Sequence, residues 1–353
     1  YKLLDTPPAE LLPEELECDL TLAGLVGLID PPRPEVRQAV AQCDTAGIRT
    51  VMITGDNVVT ASAIARELGI LHEGEEALTG AQLAALPEEE LEENIERYRV
   101  YARVTPADKI RIVKAWQSRG RVVAMTGDGI NDAPALKAAD IGCAMGITGT
   151  DVAKGAADMT LMDDNFSTIV AAVREGRGIY DNIRKAVRFL LSCNLGEIAT
   201  VFVAMLLWRE SPLLPIQLLW LNLITDSLPA LALGLEPVEP DVMKRSPRDP
   251  DAPLLSRRGW VATALQGGMF ALITLIAYFV GSRVWGQVEL GETMAFAVLS
   301  LSQLVHAFNM RSTHSLFRVG FGSNRPMLGA FGVSLLLMLA VLLIPGVQGV
   351  FSV

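Results

Sequence analysis

Cysteine is scarce in this sequence. The 353 residues include four cysteines, which are widely separated and form no C-x-x-C pair. Disulfide-stapled domains and cysteine-rich zinc sites need cysteines in larger numbers or at closer spacing, so both classes are excluded. We expect the thiols to be reduced and partly buried; they belong to Cys18, Cys43, Cys143 and Cys193.

An excess of positive charge is also lacking. The chain carries 30 basic and 40 acidic residues, which gives a net charge of −10. Proteins that bind nucleic acid concentrate lysine and arginine against the phosphate backbone. A nucleic-acid partner is therefore not expected.

A secretory leader is not expected either. The opening residues, YKLLDTPPAELLPEELE, are polar and proline-rich, whereas a signal peptide needs a basic start and then an apolar stretch. The sequence starts at Tyr1 without a methionine, and no predicted structural element opens it. We expect the chain to be part of a longer protein.

Apolar residues, in contrast, are abundant. Hydrophobic residues make up 50% of the chain and the mean hydropathy is +0.34, yet 20% of the residues are charged. An ordinary soluble protein is less apolar, and a wholly membrane-embedded protein is less charged. The sequence therefore predicts two segments of different character, with the change near Tyr180.

Before Tyr180, short apolar strands alternate with helical patterns. Such alternation predicts an α/β fold, in which a parallel sheet has helices on both faces. The predicted strands are Leu22–Ile29, Thr50–Ile53, Arg99–Val104, Val122–Met125, Ile141–Met145 and Met159–Met162. The predicted helices include Val36–Ala46, Val58–Leu68 and one that Pro106 opens. The acidic run Glu88–Glu96 is typical of a solvated helical face.

The most informative stretch follows the strand Val122–Met125, which we expect to be buried. The strand runs into T-G-D-G, where two glycines permit a tight turn. Asp128, Asn131 and Asp132 then lie at the carboxyl end of a parallel strand, where open α/β sheets bind ligands. Two carboxylates and an amide suit Mg2+ and a phosphoryl group. A lone G-D-G is usually an acidic turn without function, but the full run T-G-D-G-x-N-D-A-P-A-L is far more specific.

After Tyr180 the apolar residues form blocks that can span a bilayer. A spanning helix needs about 20 mostly apolar residues. Five consecutive blocks approach or exceed this length: Val187–Trp208, Leu214–Leu235, Val261–Val284, Thr293–Met310 and Met327–Ile344. The alternative is a set of core helices in a large soluble protein, which five such blocks in a row disfavour.

Basic residues indicate how the blocks are oriented. They cluster on one side of the series: Arg184, Lys185, Arg188, Lys244, Arg245, Arg248, Arg257, Arg258, Arg311 and Arg318. By the positive-inside rule that side is cytoplasmic. The sequence thus predicts a multi-pass integral membrane protein with a cytoplasmic α/β part, and its first membrane helix rises directly from that part.

Polar side chains inside the apolar blocks predict an ion site. They are Asn194 and Glu197 in the first block, Asn222, Thr225 and Asp226 in the second, and Gln303 in the fourth. A carboxylate in mid-membrane costs several kcal/mol unless it is paired or bound to a cation. All the donors are oxygens, which favours a hard cation over copper or zinc. Pro229 should loosen the second helix and free backbone carbonyls. The alternative is an interhelical hydrogen-bond cluster with protonated acids.

The order of the motifs resembles that in P-type ion-pumping ATPases. L-x-D-P-P-R at Leu28–Arg33, M-I-T-G-D-N at Met52–Asn57, the T-G-D-G run and D-D-N-F at Asp163–Phe166 follow one another as in that family. Two membrane motifs look specifically like the sarco/endoplasmic-reticulum type of calcium pump. They are S-x-N-x-G-E at Ser192–Glu197 and L-L-W-x-N-L-x-T-D at Leu218–Asp226.

This resemblance implies a domain arrangement and a function. It implies the end of a nucleotide-binding region at residues 1–20, a haloacid-dehalogenase-like (Rossmann-like) phosphorylation domain at residues 21–178, and a stalk with five transmembrane helices at residues 179–353. The implied activity is ATP-driven export of Ca2+ from the cytosol through an aspartyl phosphate. Mg2+ and ATP are the implied cofactors, and the implied location is the plasma membrane.

The resemblance also implies residue roles. Phosphorylation-site residues are matched by Thr54, Gly55, Asp56, Lys109, Asp128, Asn131 and Asp132. Within that set Asp128 would hold Mg2+, and nucleotide or phosphate would be bound by Thr54, Gly55, Asp56 and Arg33. The Ca2+ ligands are matched by Asn194, Glu197, Asn222, Thr225, Asp226 and Gln303.

Departures from the family pattern matter as much. The family's phosphorylated aspartate lies in D-K-T-G-T, which occurs nowhere in this sequence. Asp44-Thr45-Ala46-Gly47 is only superficially similar to that motif and lies on a predicted helix. The missing N-terminal half, with the nucleotide-binding and actuator domains and four membrane helices, is expected upstream of Tyr1, and a tenth membrane helix is absent too. On this expectation the chain alone neither becomes phosphorylated nor pumps. Gln303 also stands where reticulum pumps carry a glutamate.

Other function classes remain open at this point. A soluble phosphatase of the dehalogenase fold is one, although the membrane blocks and the absent nucleophile speak against it. A non-catalytic membrane fragment that binds cations is another. Among pumps, the transported ion could instead be Mn2+, Na+ or H+.

Overall fold

The computed structural model describes residues 20–24, 26 and 31–353. Half of the predicted strand Leu22–Ile29, the start of the motif Leu28–Arg33, and residues 1–19 with Cys18 lie outside the described residues. The prediction is wrong for the described half of that strand, because it has no strand structure and Leu22 and Val26 are exposed. The other three cysteines are free thiols and buried, more deeply than the partial burial expected from the sequence.

Strands and helices alternate in the first part of the chain, as predicted. The strands are β1 (Met52–Thr54), β2 (Glu76–Thr79), β3 (Tyr98–Ala102), β4 (Ala124–Gly127), β5 (Ile141–Met145) and β6 (Met159–Leu161). The helices are α1 (Pro34–Thr45), α2 (Val58–Leu68), α3 (Gly80–Ala85), α4 (Glu88–Asn94), α5 (Pro106–Ser118), α6 (Ala133–Ala138) and α7 (Asp151–Ala156).

Local capping explains why the helices begin where they do. The Asn57 side chain accepts a hydrogen bond from the Val59 amide at the start of α2, and Gly69 ends that helix in the left-handed conformation. Thr105 and Asp108 form a reciprocal capping box at the start of α5, where Pro106 occupies the first turn. These signals are short-range, so the sequence predicted both helices closely.

The sheet differs from the prediction. Within the described residues the strands form two parallel three-stranded sheets, in the orders β1-β3-β2 and β4-β5-β6, and not one continuous sheet. Strand β4 is therefore an edge strand, and Val122 is 60% exposed. The prediction of a buried strand at Val122–Met125 was wrong: the strand is Ala124–Gly127 and only Met125 is buried. Helix α5 joins the two halves, because Ile112 packs in the first sheet's core and Val113 packs with Met125 in the second.

Five helices of the described chain are long and apolar enough to cross a membrane. They are α8 (Phe166–Trp208), α9 (Pro215–Gly234), α10 (Arg257–Val284), α11 (Val288–Asn309) and, after the short α12 (Leu316–Val319), α13 (Arg325–Leu343). A short helix, α14 (Pro345–Phe351), follows. Each of the five predicted blocks overlaps one of these helices.

Helix α8 runs without a break from the α/β part into the membrane segment, as predicted for Tyr180–Arg188. Its 43 residues make it about 65 Å long at 1.5 Å per residue. Arg177 fixes the portion of α8 next to the α/β part on two sides. The guanidinium donates to the Ala46 carbonyl after α1 and to the Val242 and Arg245 carbonyls in the loop between α9 and α10.

Helix α9 is irregular near its centre. The segment Leu221–Asp226 has the wider π-helical form. Pro229 has no amide hydrogen to donate, so the preceding turn cannot keep regular α-helical bonding, as predicted. The freed groups find side-chain partners: Ser227 donates to the Asn222 carbonyl at 2.9 Å, and Ser334 of α13 donates to the Ile224 carbonyl at 3.3 Å.

Two glycines on α8 provide a test of the contact between this helix and the α9–α10 loop. A Cβ added at Gly178 would lie 2.4 Å from Val238 Cγ2, whereas a Cβ at Gly176 would meet no atom within 4 Å. We expect Gly178→Ala to lower the unfolding free energy by about 1–3 kcal/mol through overpacking. Gly176→Ala should be neutral or should stabilise the helix by up to about 1 kcal/mol. Thermal unfolding of the detergent-solubilised protein measures both, and equal effects would contradict the contact.

Candidate functional sites

The loop after β4 meets the first turn of α5 through an ion pair. The Lys109 ammonium contacts Asp132 Oδ1, and Asp132 Oδ2 accepts hydrogen bonds from the amides of Asp128 and Gly129, both at 3.1 Å. Because Lys109 follows β3 and Asp132 follows β4, the contact draws together the carboxyl ends of strands from both sheets. The structure thus brings these predicted residues into one cluster.

Asp132 organises this loop and is not a free ligand. Burial raises the pKa of its carboxyl group, but the Lys109 ammonium and the two loop amides outweigh that effect and hold the net pKa below the ordinary value. Asp132 is therefore ionised at neutral pH, with both oxygens engaged. A Cβ at Gly127 would lie 2.4 Å from Asp132 Cβ, so this close approach requires glycine.

Asp128 and Asn131 present their side chains to solvent. Both are exposed, and neither side chain has a hydrogen-bond or ion-pair partner in the part of the chain that the structure describes. The Thr150 amide holds the Asp128 backbone carbonyl at 2.8 Å. An unpaired carboxylate three residues before an exposed amide in the same loop fits Mg2+, which prefers hard oxygen donors and keeps several waters.

Thr54, Gly55 and Asp56 form a local turn at the carboxyl end of β1. The Asp56 amide donates to Thr54 Oγ1 at 3.1 Å, and the Thr54 hydroxyl donates to Asp56 Oδ2 at 3.2 Å. Arg33 lies elsewhere: its guanidinium donates to the Asp164 carbonyl at 3.0 Å. Among the described residues no polar contact joins this turn or Arg33 to the Lys109–Asp132 cluster.

Asp164 is a supporting residue to which the sequence reasoning gave no role. Its carboxylate accepts hydrogen bonds from the amides of Ile147 and Thr148 at 2.9 and 2.8 Å. Desolvation raises the pKa of Asp164, but these hydrogen bonds outweigh it and lower the pKa to about 2. The anchored loop continues to Thr150, whose amide holds the Asp128 carbonyl. The D-D-N-F motif was the available signal for this role.

The second cluster lies between the membrane helices and centres on Glu197. This side chain of α8 is 5% exposed. Its Oε2 accepts a hydrogen bond from Asn222 of α9 at 2.9 Å, and its Oε1 accepts one from Gln303 of α11 at 3.1 Å. Three helices therefore converge on one carboxylate, and three of the predicted ion ligands meet there.

Asp226 has no such partners. It is 1% exposed, and neither carboxylate oxygen makes a hydrogen bond within the described chain. The Gln303 Oε1 atom is likewise buried without a partner, and Thr225 beside Asp226 is buried. An unpaired carboxylate in such surroundings costs several kcal/mol unless a cation neutralises it. The donor set, all oxygen, fits a hard cation such as Ca2+.

Asn194, which the sequence predicted to be an ion ligand together with Glu197, does not contact Glu197 through a described hydrogen bond. It is half-buried, and its amide donates to the Leu190 carbonyl of its own helix at 2.9 Å. Its side chain is therefore not part of the Glu197 cluster as the structure has it.

Ser300 of α11, one turn before Gln303, was missed by the sequence reasoning. Its hydroxyl is buried and has no partner among the described residues. A lone serine in an apolar helix gives no distinctive pattern.

Family comparisons agree with this two-part architecture. The haloacid dehalogenase-like hydrolase family matches residues 3–140, and the family described as cation transporting ATPase, C-terminus, matches residues 210–353. The predicted fold class, a dehalogenase-like α/β domain followed by membrane helices, is confirmed.

Individual relatives align along nearly the whole chain. A calcium-transporting ATPase of Bacillus cereus is 50% identical over 358 residues, which cover 96% of this chain and 40% of that protein. A calcium-transporting ATPase of Bacillus subtilis is 51% identical, with 96% and 38% covered. The endoplasmic reticulum calcium ATPase srcA of Aspergillus fumigatus is 41% identical, also with 96% and 38% covered.

The chain thus spans about two fifths of the length of these relatives. The stretch it covers joins a dehalogenase-like domain to a set of membrane helices. The chain belongs to the P-type cation-transporting ATPases and is a C-terminal part of such a pump.

Proposed function

We propose that the intact protein is an ATP-driven pump that exports Ca2+ from the cytosol through an aspartyl-phosphate cycle. In this proposal the present chain supplies the loops that stabilise the phosphoryl group and most of the ion site. The phosphorylated aspartate and the nucleotide-binding domain come from the remainder of the protein. The similarity to calcium-transporting ATPases supports this division of roles.

One observation carries the proposal. Asp226 lies in a helix that can cross a membrane, and among the described residues both of its buried carboxylate oxygens lack an N–H or O–H partner, with the Cys193 thiol as the polar group beside them. The π-helical turn directly before Pro229 also leaves carbonyl oxygens outside the regular bonding pattern. Charge and extra oxygens at one level of the membrane are what a transported divalent cation requires.

The cytoplasmic cluster fits the accompanying phosphoryl chemistry. Asp128 would hold Mg2+, which would neutralise charge on the phosphoryl oxygens when bound. Asp132 orients the Lys109 ammonium, a point cation that can stabilise the developing negative charge. Asn131 would orient the phosphoryl group. Thr54, Gly55 and Asp56 would bind phosphate or nucleotide at the neighbouring strand end, and Arg33 would act on the nucleotide side.

Ion stoichiometry follows from the unequal state of the two acids. Both oxygens of Glu197 accept N–H groups from Asn222 and Gln303, so Ca2+ at Glu197 would have to share these oxygens with the two amides or displace them. Within the described chain Asp226 accepts no such N–H groups, and the polar group beside it is the Cys193 thiol. We therefore propose one tightly bound Ca2+ per cycle at Asp226, with a weak site at Glu197.

The proposed location is the plasma membrane, with the α/β domain in the cytoplasm. The basic residues that flank the membrane helices support this orientation. Several similar pumps are bacterial, and bacteria have no endoplasmic reticulum, although the reticulum pump of Aspergillus fumigatus is also similar.

The first test removes the charge of the proposed ion site. Asp226→Asn in the intact protein should abolish Ca2+ transport and Ca2+-dependent phosphorylation by ATP, because a neutral amide cannot neutralise a buried divalent cation. Phosphorylation by inorganic phosphate without Ca2+ should persist, since the cytoplasmic cluster is unchanged. The control Asp251→Asn removes an exposed carboxylate from the α9–α10 loop and should change neither. If Asp226→Asn still transports Ca2+ with unaltered affinity, the proposal is contradicted. If the unmodified protein transports Mn2+ selectively, the transported ion is Mn2+ and not Ca2+.

The second test restores charge beside Glu197. Gln303→Glu replaces an N–H donor with a carboxylate, so a cation should take the place of the lost hydrogen bond. We expect a higher apparent Ca2+ affinity or a second bound ion, measured by equilibrium Ca2+ binding on the intact protein. The opposite outcome is that the unmodified protein binds two Ca2+ ions tightly and cooperatively, and that Gln303→Glu changes neither their number nor their affinity. This outcome would show that the glutamine does not weaken the site.

A further inference from the structure

A second buried polar cluster lies outside the ion site, where the membrane helices end on the predicted cytoplasmic side. Arg311 follows the end of α11 and is 0% exposed, and Glu236 follows the end of α9 and is 6% exposed. Arginine and glutamate are rarely buried to this extent unless they are paired. We call these two side chains, with Asn182 and Asn324, the helix-end cluster.

The central contact of the helix-end cluster is a bidentate ion pair between Arg311 and Glu236. Arg311 Nη2 donates to Glu236 Oε1 at 2.8 Å, and Nε donates to Oε2 at 2.9 Å. The remaining guanidinium nitrogen donates to the carbonyls of Gly320 and Phe321, at 3.3 and 3.2 Å. Every nitrogen of the arginine therefore has an acceptor, which a buried charge needs if it is not to destabilise the fold.

Two asparagines extend the pair to two further helices. Asn324, which caps α13, donates to Glu236 Oε2 at 2.6 Å and to the Ala232 carbonyl at 2.9 Å. Asn182 of α8 donates to the Glu236 carbonyl at 2.6 Å. The last carbonyls of a helix lack partners within the helix, and here side chains from α8 and α13 satisfy those of α9. Four membrane helices are thereby tied at one level.

The helices that this pair joins are the ones that carry Asp226 and Gln303. Helix α9 contains Asp226 in its π-helical turn, and α11 contains Gln303. The π-helical turn departs from α-helical bonding, so regular α-helix geometry alone does not set the height or rotation of Asp226. A rigid contact at the end of each helix supplies that constraint. Buried ion pairs often add little net stability compared with apolar side chains, but their geometry sets a specific register.

We propose that Glu236 and Arg311 are positioning residues for the ion site. Their ion pair holds the ends of α9 and α11 in one register and so sets the arrangement of Asp226 relative to Gln303. The inference rests on the proposed function, because its main readout is Ca2+ affinity.

The test uses the intact pump in lipid vesicles and compares two arginines of the α11–α13 connection. Arg311→Met keeps the apolar stem and removes the charged fork. We expect the Ca2+ concentration for half-maximal ATPase activity to rise about tenfold, which is within the range of coupling effects between distant positions. Phosphorylation by inorganic phosphate without Ca2+ should stay within about twofold. Arg318→Met, at an exposed position of the same connection, should change neither quantity.

Paired variants separate positioning from simple stability. Exchange of the charges, with Glu236→Arg and Arg311→Glu together, should recover most of the Ca2+ affinity that either single change loses. The apolar pair Glu236→Leu with Arg311→Met should recover the unfolding temperature but not the Ca2+ affinity, because packing returns without the directional contact. The proposal would be overturned if the apolar pair recovered both the unfolding temperature and the Ca2+ affinity. It would also be overturned if the Arg311→Met pump folded and kept an unaltered Ca2+ affinity.

Failure of the proposed function is distinguishable from failure of this inference. If the unmodified protein shows no Ca2+-stimulated ATPase activity, the proposed function fails. The contact is then judged by a double-mutant cycle on the unfolding temperature of Glu236→Gln and Arg311→Met. Additive effects in that cycle would overturn the ion pair itself, and strong coupling would support it.

Discussion

A carboxylate cannot stay ionised between apolar helices without a counter-charge, and the membrane part of this protein is arranged around that constraint. Glu197 meets it in part with two amide donors, from Asn222 and Gln303. Asp226 does not meet it within the described chain, since both of its oxygens lack partners. The difference separates a carboxylate that holds helices together from one that, in the proposed pump, would be available to the transported ion. The π-helical turn ends at Asp226 and Pro229 follows it, so the backbone near Asp226 departs from α-helical bonding.

Distance is the second constraint, because the proposed phosphoryl site and the proposed ion site lie in different parts of the chain. Helix α8 covers that distance as one element: it starts at Phe166, just after β6, and carries Glu197 in its membrane half. Arg177 anchors it to the end of α1 and to the α9–α10 loop, so in the proposed pump a tilt of the α/β domain would be transmitted without a flexible joint. In the proposed pump, Asn182 would link α8 through Glu236 to the helices with Asp226 and Gln303.

Much of this was predictable from the sequence where the signal is local. Helix α2 and strand β5 were predicted to the residue, because caps, glycines and apolar runs fix them over a few positions. The gathering of Glu197, Asn222 and Gln303 was also predictable, since polar residues in apolar helices have few other uses. The division into two sheets was not predictable, because strand pairing depends on contacts far apart in the chain. The pairing of Glu236 with Arg311 was equally hidden: each lies at the end of an apolar block, where a charged residue ordinarily faces water.

Coupling through α8 is tested most directly in the intact protein with three glycines inserted next to Ile183. The quantity to measure is the number of Ca2+ ions transported per ATP hydrolysed. The insertion interrupts the helix between the Arg177 anchor and Glu197, while the same insertion after Asp251, at an exposed position of the α9–α10 loop, serves as the control. Coupling through α8 predicts continued ATP hydrolysis with a sharply lower transport ratio for the first insertion and an unaltered ratio for the second. An unchanged transport ratio after the insertion next to Ile183 would contradict coupling through this helix.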